Sequence, residues 1–526
     1  MRQYIGTLWM ALVLAGCAQA PVTQSPADLG ATHGFVHVSL PNSRGLLLRS
    51  VASGQEYNVV RQTAHGPYAY GLWLPPGEYE VVGLRNPDGS KYLTVSSNRG
   101  RLTDLGGVVR LEIGGYEFMV LPIRHPEIAA ETRQATQTLL PYLTTAEPIE
   151  WKPLVPPQAL KNANPPTGLG LVADLLMDYT RHVNKPSLNQ QMKEAKTIDE
   201  AFHRALASVP PQTDEPGSDA DASLYYGAEL GQIRVRKRDG QWVSLDTGTL
   251  QAITAVEVNG RSLVAGTARG EIRISEDGKT WQRRFSFAPE ESVVDIDRIG
   301  SRWIVVTARL TTLVTPYMAP GVTMQSTDLI KVYSTTKEDV SDLALLREIA
   351  LKEKIFVSRG MGLRGQHTGG IYYLSDGNDL LRLDLQTLQW SSKTPGHRVD
   401  GINVAPTTGT LTVYRQQGAF SKLHVSTDQG ATWRPADTPP YIFYDVYFES
   451  PGNGLATRWN TGAFSATIEF MKYDAAADRW QKTHDAPPGC VRILRDADNV
   501  QRFCVTSGNS VLNYVDGKWV VEMAVN

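Results

Sequence analysis

The segment Ser426-Thr427-Asp428-Gln429-Gly430-Ala431-Thr432-Trp433 joins a polar turn to an indole that follows it directly. Asp favours a tight reversal because its side chain accepts backbone N–H bonds, and Gly tolerates the positive φ that such turns need. Turns that contain Asp and end in Trp recur through the second half of the chain at Trp242, Trp281, Trp480 and Trp519. Trp390 belongs to the same series without such a turn.

The six tryptophans are 39, 109, 43, 47 and 39 residues apart, so the longest gap holds about two periods with one degenerate member. A repeat of roughly 40 to 50 residues with four short strands is typical of a β-propeller blade. Seven strand-rich units begin near residues 224, 250, 291, 350, 398, 441 and 488. We therefore predict a mainly-β protein in which residues 224–526 form a β-propeller; seven blades are favoured and six are the alternative.

The third and fourth units are less regular than the others. Pro316 and Pro320 interrupt them, and residues 339–354 carry the composition of a helix. We predict a helix over residues 339–354.

The N-terminus has the features of a secretory signal, with Arg2 ahead of an apolar core and small residues behind it. Leu14-Ala15-Gly16-Cys17 resembles the lipobox of bacterial lipoproteins. This resemblance implies that residues 1–16 are removed and that Cys17 carries the lipid. Residues 17–33 then form a flexible tether, and Ala18 and Gln19 favour the outer membrane over the inner membrane. An ordinary cleaved signal with an incidental Cys is the alternative.

The region between tether and propeller divides in two. Residues 34–124 contain short strands with alternating hydrophobicity, which predict a small β-sandwich. Residues 125–223 form a helical and Pro-rich connecting region, in which Thr197 and Glu200 form a capping-box signature at the start of a helix. Its end, residues 210–219, is polar and rich in Pro and Gly, so we place the second domain boundary there.

The quoted segment resembles the Asp box, S-x-D-x-G-x-T-W, of sialidase-like (BNR-repeat) propellers. The matching residues are Ser426, Asp428, Gly430, Thr432 and Trp433, and a variant one residue shorter contains Ser275, Asp277, Gly278, Thr280 and Trp281. The resemblance implies that these residues hold hairpins together at the outer rim and are structural.

The same resemblance implies glycoside hydrolysis as an alternative activity. Sialidases use an arginine cluster, a Tyr–Glu pair and an acid/base Asp. No local motif assigns these roles here, and we name no catalytic residue. Asp295 and Asp297 lie at strand spacing and would share one face, as an acid/base pair does. Solvated carboxylates are the favoured interpretation of this pair.

Apart from Cys17, the chain has two cysteines, Cys490 and Cys504. They flank two strand-like segments around a turn at residues 496–499, which predicts a disulfide across a hairpin. Such a bond would close a loop of about 15 residues. Two separate buried thiols are the alternative.

The composition narrows the function classes. Lys plus Arg (52) nearly cancels Asp plus Glu (54), which argues against a nucleic-acid partner. The scattered His residues predict no metal site, and no motif predicts a cofactor. We expect a lipid-anchored cell-envelope protein whose propeller binds a protein or glycan partner; the alternative is a surface-attached, sialidase-like glycoside hydrolase.

Overall fold

The structure is a computed structural model. It describes residues 25–42, 45–62, 64–82, 84–85, 94–112, 117–144, 159–162, 194–288, 290–313, 324–357, 363–393, 395–461, 466–498, 500–506 and 508–524. The predicted signal and Cys17 lie outside these residues. Part of the predicted tether is described, and Pro26–Thr32 form helix α1 with Ser25 at its N-cap.

The N-terminal strands join in one sheet of ten strands, in the order β6-β10-β9-β8-β1-β4-β3-β2-β5-β7. The strands are β1 Gly34–Ser39, β2 Leu46–Ser50, β3 Glu56–Arg61, β4 Ala69–Leu74, β5 Gly77–Val81, β6 Leu84–Arg85, β7 Thr94–Ser97, β8 Leu102–Glu112, β9 Glu117–Ile123 and β10 Ala159–Asn162. All pairings are antiparallel except that of β1 with β8.

This sheet curls into a half-barrel instead of splitting into the two layers of a sandwich. Thr103 on β8 donates a hydrogen bond to the carbonyl of Ser96 on β7, although these strands are far apart in the sheet order. The enclosed core contains Val36, Leu48 and Tyr79. The sheet also extends beyond residue 124, because β10 pairs with β9.

Two helices pack on this sheet and lead to the second half of the chain. Helix α2, Pro126–Leu139, follows the cap residue His125 and buries one stripe of side chains that includes Ile128 and Ala135. Helix α3, Ile198–Ser208, begins at the predicted cap: Thr197 Oγ1 accepts a hydrogen bond from the Glu200 amide at 3.0 Å, and the Glu200 carboxylate accepts one from the Lys196 amide at 2.8 Å.

The second half of the chain forms seven antiparallel sheets of four strands each, a seven-bladed β-propeller. Blade 1 has β11 Gly217–Ser218, β12 Leu224–Gly227, β13 Gln232–Arg236 and β14 Trp242–Asp246; blade 2 has β15 Ile253–Asn259, β16 Ser262–Thr267, β17 Glu271–Ser275 and β18 Gln282–Ser286; blade 3 has β19 Glu291–Ile299, β20 Arg302–Leu313, β21 Met324–Thr335 and β22 Ala344–Val357; blade 4 has β23 Gln366–Thr368, β24 Ile371–Ser375, β25 Leu380–Asp384 and β26 Trp390–Lys393; blade 5 has β27 Gly401–Val404, β28 Leu411–Arg415, β29 Lys422–Ser426 and β30 Arg434–Pro435; blade 6 has β31 Phe443–Ser450, β32 Asn453–Thr461, β33 Ala466–Asp474 and β34 Arg479–Asp485; blade 7 has β35 Cys490–Arg495, β36 Gln501–Thr506, β37 Val511–Val515 and β38 Lys518–Met523.

The fold class and the favoured blade number are confirmed, with local corrections. The helix predicted over residues 339–354 is wrong, because Ala344–Val357 form strand β22 at the edge of blade 3. Blade 4 begins at Gln366, later than predicted, and blade 1 begins at Gly217, inside the predicted connecting region.

Each tryptophan of the repeat lies at or next to the start of the fourth strand of its blade and packs against the preceding blade. Trp480 of blade 6 contacts Phe448 and Tyr473, and its Nε1 donates to the carbonyl of Asp437 behind blade 5 at 2.8 Å. The other five lie at the equivalent interfaces: Trp242, Trp281, Trp390, Trp433 and Trp519. Blade 3 has no such indole, and the buried Trp303 of β20 fills its interface with blade 2.

The ring closes between blades 7 and 1 without strand exchange, because each of these blades takes its four strands from its own part of the sequence. Tyr226 stacks on Trp242, and Phe503 of blade 7 meets the edge of the same indole. Both Glu522 carboxylate oxygens accept hydrogen bonds from Arg236 at 2.7 Å. This paired geometry fixes the two blades in both distance and orientation.

Hairpins between second and third strands and the connections between blades emerge on one face, here called the upper face, because neighbouring strands are antiparallel. The N-terminal sheet and its helices cover blades 1 and 2 on this face. Glu127 of α2 accepts a hydrogen bond from the Leu250 amide at 3.0 Å, and Asn42 donates to Glu229 at 3.4 Å. Arg234 of blade 1 donates to the carbonyls of Leu206, Ala207 and Val209 and so caps the C-terminus of α3.

None of the helices in the described part of the chain has the length and apolar character needed to span a bilayer.

Candidate functional site

The innermost strands and their approaches carry a network of charged side chains around the propeller axis. We call this set the channel network: Asp214, Glu215, Arg364, Asp445, Arg492 and Arg495. Its members come from blades 1, 4, 6 and 7, which places them around the axis where the innermost strands face one another.

Glu215 lies at the centre of the channel network. One carboxylate oxygen accepts a hydrogen bond from Arg495 at 2.7 Å, and both oxygens accept from Gln366 at 3.2 and 3.1 Å. Arg364 Nη1 lies 3.9 Å from the same carboxylate and donates to the Glu215 carbonyl at 3.3 Å. One side chain thus links blade 1 to blades 4 and 7.

Arg495 is the main cation of the channel network, and its side chain is 10% exposed. Its Nη2 and Nε donate to the two oxygens of Asp445 at 2.6 and 3.1 Å. Burial alone lowers the pKa of Arg495, but the carboxylates of Asp445 and Glu215 together outweigh burial and raise that pKa well above its ordinary value. Arg495 therefore stays charged.

Asp214 and Arg492 extend the network toward the seam between blades 7 and 1. Arg492 Nη1 lies 3.7 Å from the Asp214 carboxylate and also donates to the Gln212 carbonyl. The Asp214 carbonyl accepts from the backbone amide of Arg495 at 2.8 Å. Enclosure in the channel raises the pKa of Asp214, an effect that the nearby arginines oppose.

The strand-spaced pair singled out in the sequence lies beside this network. Asp295 is buried, and its Oδ2 accepts hydrogen bonds from Tyr372 Oη at 2.6 Å and from the Gly365 amide at 2.8 Å. Asp297 shares its face of β19, as predicted. The favoured interpretation of solvated carboxylates is wrong for Asp295, because β19 is the innermost strand of blade 3 and blade 4 covers it.

Asp295 and Glu257 of β15 both lie close enough to Asp297 to influence its ionisation. Burial, followed by the charge of Asp295, raises the pKa of Asp297 well above its ordinary value. Burial also raises the pKa of Glu257 to about 8. Glu257 is therefore expected to be protonated at neutral pH, which reduces the repulsion between it and the two aspartates.

Three arginines therefore meet in the channel, but each already forms hydrogen bonds or ion pairs with other residues of the chain. Arg364 donates to the carbonyls of Thr254 and Glu215, while Arg492 and Arg495 face Asp214, Asp445 and Glu215. In a sialidase-like site the arginines would hold a substrate carboxylate and a Tyr would contact a Glu. Beside the network, Tyr372 contacts Asp295, and Tyr447 of β31 donates a hydrogen bond to Glu449.

The two Asp-box segments form hairpins between third and fourth strands, on the lower face. Asp428 Oδ1 accepts from the Thr432 amide at 2.9 Å and from Ser426 Oγ at 2.7 Å, and Gly430 donates to Ser426 Oγ at 2.8 Å. The Thr432 bonds lower the pKa of Asp428 to about 2. Trp433 packs between blades 4 and 5 behind this turn.

The shorter segment repeats the arrangement in blade 2. Asp277 Oδ1 accepts from the amides of Thr280 and Lys279 at 2.7 and 2.8 Å, and Gly278 donates to Ser275 Oγ at 2.9 Å. These bonds lower the pKa of Asp277 to about 2. Trp281 packs between blades 1 and 2. The hydrogen-bond partners of both Asp side chains belong to their own hairpins, a geometry that serves the turn.

A disulfide joins Cys490 to Cys504, with Cα atoms 5.8 Å apart. It links the first and second strands of blade 7, the blade that supplies Arg492 and Arg495. Among the described residues, no group of three or more His, Cys, Asp or Glu is arranged to hold a metal ion.

The N-terminal sheet and its helices contact the upper face at blades 1 and 2, and the later blades carry exposed aromatic side chains on the same face. Two large side chains project from it: Phe420, 75% exposed, in the hairpin between β28 and β29, and Tyr441, 56% exposed, in the connection from blade 5 to blade 6. Exposed aromatic side chains of this size are frequent anchors in protein interfaces. No sequence motif singled out either residue.

No protein-family model and no curated protein matches the chain. Among solved structures, it is similar to YCF48 bound to D1 peptide, with 13% identity, a TM-score of 0.35, and coverage of 58% of this chain and 91% of that chain. It is also similar to the Mitotic Checkpoint Complex (14% identity, TM-score 0.36, 58% and 85% coverage) and to YCF48 from Cyanidioschyzon merolae (14%, 0.35, 58% and 94%). TM-scores this low support no functional argument, and the propeller assignment depends on the seven sheets described above.

Proposed function

We propose that this protein is a lipid-anchored cell-envelope protein whose propeller binds a protein or glycan partner on its upper face. The lipid on Cys17 attaches it to a membrane, the outer membrane in preference to the inner one. The Asp-box pattern relates the hairpins of the propeller to sialidase-like repeats. The function that we propose for the propeller is the binding of a partner.

The proposal rests on one observation: the charged side chains of the channel network are already paired with other residues of the chain. Glu215 contacts blades 4 and 7, and Arg495 is bound by two carboxylates. A ligand that entered the channel would have to break several partly buried, charge-assisted hydrogen bonds, which is costly. A ligand that contacts the exposed side chains of Phe420 and Tyr441 on the upper face does not have to break these bonds.

The position of the N-terminal sheet also favours a binding surface on the upper face of the later blades. It packs on blades 1 and 2 through Glu127, Asn42 and an apolar cluster that includes Ile128 and Leu250. A partner on the upper face would therefore meet blades 4 to 7, and the N-terminal sheet would form one wall of the site.

A sialidase-like glycoside hydrolase is the second candidate, because three arginines converge in the channel. Their guanidinium groups would have to exchange Glu215, Asp214 and Asp445 for a substrate carboxylate. Binding on the upper face requires no such rearrangement, so we favour the binding platform.

Crosslinking in the native cell, followed by identification of the captured partner, tests the platform. Turnover of a fluorogenic sialoside by the full-length protein tests the hydrolase, with Arg495→Ala as its control. Recovery of a stable partner without turnover supports the platform. Turnover that is lost in Arg495→Ala, without a recoverable partner, would show that the platform proposal is wrong.

A further inference from the structure

The upper end of blade 5 holds two cations that face each other. Arg415 and Lys422 are direct partners in the pairing of β28 with β29, so their side chains share one face of the sheet. Like charges placed directly opposite each other destabilise a strand pair. Within the part of the chain that the structure describes, neither residue forms an ion pair. The hairpin therefore keeps an unfavourable arrangement that a bound anion would relieve.

A histidine pair adjoins these cations on the same side of the blade. His424 follows Lys422 by two residues on β29, and its Nδ1 lies 2.8 Å from Nε2 of His397, in the connection from blade 4. We call His397, Arg415, Lys422 and His424 the cationic cluster. The other charged groups nearby are Arg398 and Asp400, which pair with each other at 3.0 Å.

The hydrogen bonds of the histidine pair determine which ring nitrogen accepts the next proton. His397 Nδ1 lies 2.7 Å from the Arg398 carbonyl and must donate to it, because a carbonyl only accepts. Nε2 of neutral His397 then accepts from Nδ1 of His424, which leaves Nε2 of His424 as the free basic site of the pair. Burial is the largest effect and lowers the pKa of each histidine. The Arg398 carbonyl and the Asp400 carboxylate raise the pKa of His397, whereas the cationic neighbours Arg415 and Lys422 lower it, and Lys422 and His397 lower that of His424. An anion would reverse the effect of those neighbours and favour a proton on His424.

Phe420 indicates the class of ligand. It lies in the hairpin whose two ends are Arg415 and Lys422, and it is 75% exposed. A phenyl ring offers apolar contact and no hydrogen-bonding group, which suits an aliphatic or aromatic side chain better than sugar hydroxyls.

We propose that the cationic cluster and Phe420 bind an acidic protein segment that carries an apolar side chain next to its carboxylates. This inference rests on the proposed binding function and names the chemistry of the partner. Binding is coupled to proton uptake by the histidine pair, so affinity rises as the pH falls from about 7.5 to about 5.5.

The probe is a fluorescein-labelled peptide of alternating glutamate and leucine, measured by fluorescence anisotropy with the full-length protein. The same peptide with glutamine in place of glutamate tests the need for charge. Arg415→Ala/Lys422→Ala should weaken binding of the acidic peptide about fivefold or more, on the scale of two exposed charge contacts. Lys472→Ala/Lys518→Ala removes two exposed cations elsewhere on the propeller and should leave binding unchanged.

Equal losses in both double variants would overturn the inference, because they would reflect net charge alone. An affinity that does not change with pH, or a sulfated oligosaccharide that binds while the peptide does not, would also overturn it. The platform is tested separately: if the native partner crosslinks equally well to wild type and to Arg415→Ala/Lys422→Ala, the acidic-segment inference fails and the platform stands. If wild type captures no partner but binds the peptide through the cluster, the platform fails instead.

Discussion

Replacement of Arg495 by alanine tests the channel network directly. The side chain is 10% exposed and neutralises Asp445 and Glu215 at 2.6 and 2.7 Å. Its removal leaves two enclosed carboxylates without their main counter-charge, a change that costs about 3 to 5 kcal/mol. At about 2 °C per kcal/mol for a large domain, the thermal midpoint should fall by about 6 to 10 °C.

Arg502→Ala in the same blade is the matched control. Its side chain is 50% exposed and lies 3.5 Å from Asp496, so its loss should cost less than about 1 kcal/mol. Glu215→Gln in the Arg495→Ala background should restore part of the loss, because it removes one uncompensated charge. Differential scanning fluorimetry measures all three variants. A fall in Arg495→Ala no larger than in the control would refute the view that the network is enclosed and coupled.

Three further predictions concern the hairpins, the disulfide and the anchor. Asp428 has a folded pKa of about 2, below its unfolded value of about 3.9, so its contribution to stability is present above about pH 4 and is lost as the pH falls toward 2; the difference in thermal midpoint between wild type and Asp428→Ala should shrink over that range. Cys490→Ala/Cys504→Ala should destabilise blade 7 by about 3 kcal/mol through loop closure, seen as a lower midpoint that reductant no longer changes. Cys17→Ser should move the protein from the membrane fraction to the soluble fraction, and unchanged membrane association would contradict lipid attachment.

The tryptophan repeat predicted the number of blades because each indole belongs to a local turn-and-strand unit. It did not show where the indole packs. Trp480 reaches the carbonyl of Asp437 in the preceding blade, a contact across 43 residues that no local pattern encodes. Trp303, outside the repeat, fills the interface that lacks a regular member.

The wrong helix at residues 339–354 shows where local propensity misleads. Leu, Ala, Glu, Lys and Arg are good helix formers, and several of them follow one another in this segment. The structure pairs Ile349 with Ile330 of β21, and burial of Ile349 in that sheet outweighs intrinsic preference.

The channel network could not be predicted because its partners are far apart in the sequence. Residues 210–219 read as a polar linker, yet Glu215 binds Gln366 and Arg495, which lie 151 and 280 positions away. The pair Asp295 and Asp297 gave a usable local signal, since their neighbours Val293, Val294 and Ile296 are apolar. That context is typical of an inner strand and could have indicated burial.

The central claim, that a partner binds the upper face of the later blades, is tested most directly by site-specific photo-crosslinking in the native cell. A photoreactive residue is placed at Phe420 or Tyr441 on the upper face, and at Lys279 or Thr427 in the lower-face hairpins. We predict that one partner is captured from the upper positions and not from the lower ones. Capture from the lower positions alone would contradict the account.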